Sequence, residues 1–134
     1  MAAVVVDTDV VSFLFRHDSR AELYRPHLAG RLLVVSFMAV AELEVWMLQH
    51  AWGRARRTRL ESYLEGYVMY SAHRALCRTW AAVVTAGRRL GRPIQSADAW
   101  IAATALVQNI PLVTHNARDY SAVAGLTIIS ESPA

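Results

Sequence analysis

The stretch VVVDTDVV, Val4 to Val11, decides the fold. Its first three residues are β-branched and apolar in succession, the pattern of a strand buried on both faces of a parallel sheet. Asp7 ends that run, and Thr8 or Asp9 is suited to cap the free amides of a helix that starts there. The same apolar signature returns in LLVVS at 32–36 and PLVTH at 111–115, with LTIIS at 126–130 and the short YVMY at 67–70 as further strands. Helical patterning fills the gaps, over roughly 9–15, 20–29, 37–51, 54–65, 72–90 and 97–108. This alternation predicts a single α/β domain over 1–134, with a mostly parallel sheet flanked by helices on both faces. A site in such a fold is expected beyond the carboxyl ends of the strands, where Asp7, Thr114 and Asn116 fall.

A chain of 134 residues with 54% hydrophobic and 19% charged residues is long and apolar enough to bury a core unaided. Cys77 is the only cysteine, which excludes an internal disulfide and a cysteine-rich zinc site and fits a reducing cytoplasm. The N-terminal apolar run lacks a basic flank and is broken by Asp7 and Asp9, so neither a signal peptide nor a membrane span is expected. The net charge is +3, and all fourteen basic residues are arginine. Coding bias accounts for that preference, and the planar guanidinium is equally suited to phosphate.

Several carboxylates need an explanation. Glu42 lies in SFMAVAELEVWMLQH, where Met38, Val45 and Trp46 surround it at helical spacing. Burying an unpaired ion costs several kcal/mol, so Glu42 must meet an arginine, a metal or a proton. Glu44, between Val40 and Leu48, presents the same anomaly, and periodicity does not separate the two. Asp98 is the one charge in SADAWIAATALVQ, where Ser96 as N-cap and the helix dipole already give it a structural use. Asp119, in THNARDY, has a plain explanation as a turn residue before an aromatic.

Taken together, VVVDTDVV, SFMAVAELEVW, SADAWIAATAL and IPLVTHNARDY followed by LTII resemble the PIN-domain nucleases, in particular their VapC toxin branch. The pieces run in that family's order from Val4 to Ile129. The resemblance implies a ribonuclease whose acidic triad is Asp7, Glu42 and Asp98, which selects Glu42 over Glu44. At the fourth acidic position many relatives carry aspartate where this chain has Asn116. Asp119 is the nearest carboxylate that supplements the site, and the choice between Asn116 and Asp119 stays open. Thr8, Thr114 and Asn116 are expected to support the acids or touch substrate.

Carboxylates without cysteine ligands select hard cations, so Mg²⁺ or Mn²⁺ is the expected cofactor. Asp7 and Asp98 are expected as its ligands, with Glu42 orienting or deprotonating a water. By resemblance the partners are an RNA substrate, such as structured transfer or ribosomal RNA, a VapB-like antitoxin, and a second copy in a homodimer. The runs GRARRTR and GRRLGR offer Arg54, Arg56, Arg57, Arg59, Arg88, Arg89 and Arg92 for flanking phosphates, with solvated helix faces as the plainer use. Trp52, Tyr63 and Tyr67 could stack bases, although core packing is the commoner use of an aromatic. None of the five histidines has metal-ligand spacing. Two other readings compete. D-x-D-x-V at Asp7 fits a haloacid-dehalogenase-like phosphatase with Asp9 as general acid, but that chemistry uses a lysine and this chain has none. A non-catalytic binding module on the same fold is the other.

Overall fold

The computed structural model describes residues 2–132; Met1, Pro133 and Ala134, the ends of the expected 1–134 domain, lie outside the described residues. The elements follow the expected alternation: β1 (Ala3–Val6), α1 (Thr8–Arg16), α2 (Ala21–Leu28), β2 (Leu32–Ser36), α3 (Phe37–Gln49), α4 (Arg54–Leu64), β3 (Val68–Tyr70), α5 (Arg74–Arg89), α6 (Ser96–Gln108), β4 (Leu112–Val113) and β5 (Ile128–Ile129). A short 3₁₀ helix, Ala117–Tyr120, joins β4 to the last segment.

All strand pairs are parallel, in the order β3-β2-β1-β4-β5. β1 is therefore central, which is why Val4, Val5 and Val6 are all fully buried and carry no polar alternation. The chain first builds the sheet in one direction, β1 to β2 to β3, and then crosses back to place β4 on the other side of β1. Right-handed crossovers consequently assign α1–α4 and α5–α6 to opposite faces. Strand order reverses between β1 and β4, and a crevice opens at their carboxyl ends. Asp7 and Thr114 are the next residues after those two strands, and the Asp7 amide still donates to the Val113 carbonyl, at 2.9 Å.

Helix boundaries in two places differ from expectation. Asp7, in extended conformation, is itself the N-cap of α1, so Thr8 and Asp9 lie inside the helix rather than before it. Gln95 takes the cap position of α6 without a side-chain bond, and Ser96 starts the helix instead of capping it. At α1 the cap is still an aspartate, whose side chain accepts from the Thr8 amide, whereas at α6 the extended residue falls one position before the better capping side chain, Ser96. One packing constraint sits beside α6: a Cβ on Gly87 would come within 2.9 Å of the Arg92 carbonyl, so the turn leading to α6 closes directly on α5.

Candidate active site

The crevice is a pocket of about 430 Å³ lined by Asp7, Asp9, Glu42, Asp98 and Asp119, with Thr8, Asn116, Arg16 and Trp46 among their neighbours. Each acid arrives from a different part of the fold. Asp7 ends β1, Asp9 is in the first turn of α1, Glu42 is on α3, Asp98 is in the first turn of α6, and Asp119 is in the 3₁₀ helix. Glu44, one residue beyond the buried Leu43, is exposed. The structure thus separates the two glutamates that periodicity could not.

Buried hydroxyls hold the carboxylates in place. Asp7 is 6% exposed and accepts from the Thr8 amide at 2.7 Å, the Thr114 hydroxyl at 2.8 Å and the Tyr120 hydroxyl at 2.9 Å. The Tyr120 hydroxyl also lies 3.4 Å from Asp98 Oδ1, so a single phenol spans the two aspartates. Thr8 Oγ1 donates to Glu42 Oε1 at 2.7 Å, tying α1 to α3. Asp9 accepts from the Val10 amide at 2.7 Å, the His115 amide at 3.1 Å and Asn116 Nδ2 at 3.0 Å. Asn116 therefore braces Asp9, while its own amide donates to Thr114 Oγ1 at 3.0 Å.

The electrostatics follow from crowding part-buried acids around the buried Asp7. Burial is the first cause of an upward shift at each of four carboxyls. Asp7 is raised by burial against the pull of its three hydrogen bonds, with the Asp119 charge adding to the rise. Asp9 is pushed to about 7 by burial and then by the Asp7 charge. Asp98 is pushed to about 6 by burial, followed by the charges of Asp7, Asp119 and Glu42. Glu42 is raised by burial and by Asp7, with the Thr8 bond opposing. Burial and the Asp7 and Asp98 charges also hold the Tyr120 phenol protonated, as a donor.

Such a cluster lacks positive charge. Among the described residues Arg16 is the one basic side chain lining it, and it reaches Ser12 at 3.1 Å and the face of Trp46 at 5.5 Å rather than a pocket carboxylate. An all-oxygen donor set of this kind suits a hard divalent ion that keeps most of its waters. Among the described residues no group of three His, Cys, Asp or Glu is arranged to hold an ion by itself.

Every residue expected at the site lines this pocket or bonds to a residue that does: Asp7, Thr8, Glu42, Asp98, Asn116 and Asp119 line it, and Thr114 grips Asp7 from beneath. Two residues that shape the pocket, Asp9 and Tyr120, were not among those expected there. Asp9 looked like a cap because its partners, the His115 amide and Asn116, are more than a hundred positions away. Tyr120 looked like core, and it is core, 1% exposed, except for its hydroxyl. Of the other aromatics, Trp52 is nearly buried and stacks on Phe15 at 5.8 Å, while Tyr63 and Tyr67 are half-buried, with their hydroxyls bonded to each other at 2.7 Å.

Comparison with known proteins gives a consistent result. The PIN domain family profile matches residues 4–126. The chain is 33% identical over 140 residues to the VapC ribonuclease Y4jK of Sinorhizobium fredii, covering 95% of this chain and 96% of that one. It is 27% identical over 128 residues to Ribonuclease VapC1 of Haemophilus influenzae, covering 91% and 92%. Among solved structures, VapBC2 from Rickettsia felis bound to a promoter DNA fragment superposes with a TM-score of 0.83 at 18% identity, covering 96% of this chain and 98% of that one. VapBC-1 from nontypeable Haemophilus influenzae gives 0.80 at 24% identity, covering 96% and 97%. At those identities the superpositions speak to the fold.

Proposed function

The chain belongs to the PIN-domain family, with VapC ribonucleases among its relatives, and from that premise we propose that it is an endoribonuclease toxin that hydrolyses RNA at the acidic pocket with Mg²⁺ or Mn²⁺. The observation that carries this reading is the convergence of Asp7, Glu42 and Asp98, from β1, α3 and α6, on one pocket at the strand-order switch. On this reading the 134 residues form one such domain, working in the cytoplasm; among the described residues no helix is long and apolar enough to cross a membrane.

Asp7 and Asp98 would hold the ion, and when bound it supplies charge neutralisation at a phosphate oxygen and a water of lowered pKa. The protein's own part is positioning and proton transfer. Tyr120 orients the Asp7 and Asp98 carboxylates through its bridging hydroxyl. Thr114 fixes Asp7 from the β4 side. Glu42, held by Thr8 and with a raised affinity for protons, is placed to take a proton from the attacking water. Asn116 orients Asp9, and Asp119 adds negative charge at the outer rim beside Asp98. Asp119 rather than Asn116 is then the supplementary carboxylate.

The partners follow the same reading. The substrate is structured RNA, a transfer RNA or ribosomal RNA loop. A VapB-like antitoxin would lay a segment over the acidic pocket with a basic side chain directed at the carboxylates, and the toxin would pair as a homodimer. Val45 and Leu48 on α3 and Val68 and Met69 on edge strand β3 are about half exposed or more, and provide apolar surface for such contacts. The test is cleavage of transfer and ribosomal RNA by purified protein. Cleavage at preferred sites with Mg²⁺ or Mn²⁺, and none in excess EDTA, is expected; full activity in EDTA would overturn the reading.

A further inference from the structure

A second and larger concavity, about 1070 Å³, lies between the end of α1, α2 and α4. Its walls carry Arg16, Arg25, Arg56 and Arg59, with Phe15 and Tyr63 among the aromatic side chains. Arg16 lines both this groove and the acidic pocket, so the two adjoin at that side chain. Among the described residues the one carboxylate in the groove is Asp18, gripped by Arg20 through two bonds of 3.0 and 2.8 Å and more loosely paired with Arg16 at 3.8 Å. Arg25 is paired with Glu22 at 2.8 Å. Among the described residues neither Arg56 nor Arg59 has a carboxylate within ion-pair distance. The Arg56 guanidinium lies 3.9 Å from the centre of the Trp52 ring, and Trp52 is itself stacked on Phe15, so this cation is held in place before any ligand arrives.

Helix geometry sorts the arginines of the GRARRTR run. Residues 56, 59 and 63 share one face of α4, whereas 54, 57 and 61 share the other. Arg54 and Arg57 accordingly line a separate hollow with Glu61, away from the pocket. One short run of arginines therefore contains two that line the groove beside the acidic pocket and two that do not.

We infer that the groove holds the unpaired RNA strand as it leaves the acidic pocket, with Arg16, Arg56 and Arg59 contacting successive phosphates. The inference rests on the ribonuclease reading above. A strand bearing one negative charge per nucleotide needs such cations beside an acidic centre that would otherwise repel it, and guanidinium groups on a partly aromatic surface suit a single strand.

The test is binding of a labelled single-stranded oligoribonucleotide in EDTA, followed by anisotropy over a range of salt. R56Q/R59Q and R54Q/R57Q remove the same charge and keep most of the side-chain stem. The groove predicts roughly tenfold weaker binding for R56Q/R59Q, with the slope of log affinity against log salt falling by about 1.4, at about 0.7 per phosphate contact. R54Q/R57Q should stay within about twofold of the parent, as expected for cations off the path. Equal losses from the two pairs, or no loss from R56Q/R59Q, overturn the inference, and that includes the case where R56Q/R59Q weakens only antitoxin binding. If R56Q/R59Q melts lower than the parent, R59Q alone carries the test, since Arg59 does not stack on Trp52. Because no cleavage is needed, the two readings fail separately. RNA held through Arg56 and Arg59 by a protein that cleaves nothing would refute the ribonuclease alone, and cleavage indifferent to the pair would refute the groove alone.

Discussion

The acidic pocket and the arginine groove meet at Arg16 and are built on opposite principles. The pocket draws its five carboxylates from four helical segments and a strand end, and hydroxyls from Thr8, Thr114 and Tyr120 fix three of them. The groove takes its arginines from helix surfaces exposed to solvent, and two of them, Arg16 and Arg56, lie over the aromatic faces of Trp46 and Trp52. Charges in the pocket interact strongly because they crowd around the buried Asp7 and are themselves mostly half-buried, whereas those in the groove are screened by salt. Substitutions in the pocket should therefore act in large steps on the chemical rate, and those in the groove in small, salt-dependent steps on binding.

The largest effect is expected at Asp98. D98N should lower RNA cleavage by about two orders of magnitude or more. Its stability should move the other way. The folded pKa of Asp98 is raised to about 6, so its carboxyl favours folding at low pH, and that contribution is lost as pH rises from the unfolded value through about 6. In EDTA at neutral pH, D98N should be at least as stable as the parent, the advantage should vanish below the unfolded pKa, and Mg²⁺ should raise its melting temperature less. A destabilised but active D98N would return Asp98 to the role of a helix-dipole residue and break the contrast between pocket and surface.

Glu42 and Glu44 repeat the comparison two residues apart. E42Q should lose cleavage by about a hundredfold, since it removes a proton acceptor held by Thr8. E44Q, on the exposed face, should change stability by no more than about 0.5 kcal/mol and leave activity near the parent level. Comparable losses in both would mean that helix charge, not the pocket, is being measured.

A smaller effect is expected at Tyr120. Y120F keeps the buried ring and removes only the donor shared by Asp7 and Asp98. Losing one hydrogen bond to charged groups should cost cleavage about tenfold. The acid limb of the pH-rate profile should move to higher pH, because the ionised carboxylates lose a stabilising donor. A lower rate with an unmoved profile would make Tyr120 a packing residue only.

Why some of this was legible in sequence and some was not has a physical cause. Val4–Val6, Leu32–Ser36 and the segment before Thr114 announced themselves as strands because a strand covered on both faces has no use for polar residues. Glu42 was conspicuous because a carboxylate among Met38, Val45 and Trp46 requires compensation. Asp9 gave no such signal, since helix capping explains an aspartate there and its bond to the His115 amide depends on β1 and β4 lying side by side. That bond also gives Asp9 a structural duty, and family membership supersedes the phosphatase reading of D-x-D-x-V. Tyr120 was hidden because one atom of a core side chain does the work. The arginine run showed its charge but not its direction, which needed the placement of α4 against α1.

The most direct test of the central claim is to cleave RNA in water enriched in heavy oxygen and analyse the new ends. Hydrolysis by a water activated in the acidic pocket predicts 5′-phosphate ends carrying the heavy oxygen and unlabelled 3′-hydroxyl ends, with the label absent when D98N replaces the parent. Unlabelled 2′,3′-cyclic phosphate ends would contradict it, because the RNA's own hydroxyl would then be the nucleophile and the carboxylates of the pocket would have no water to activate.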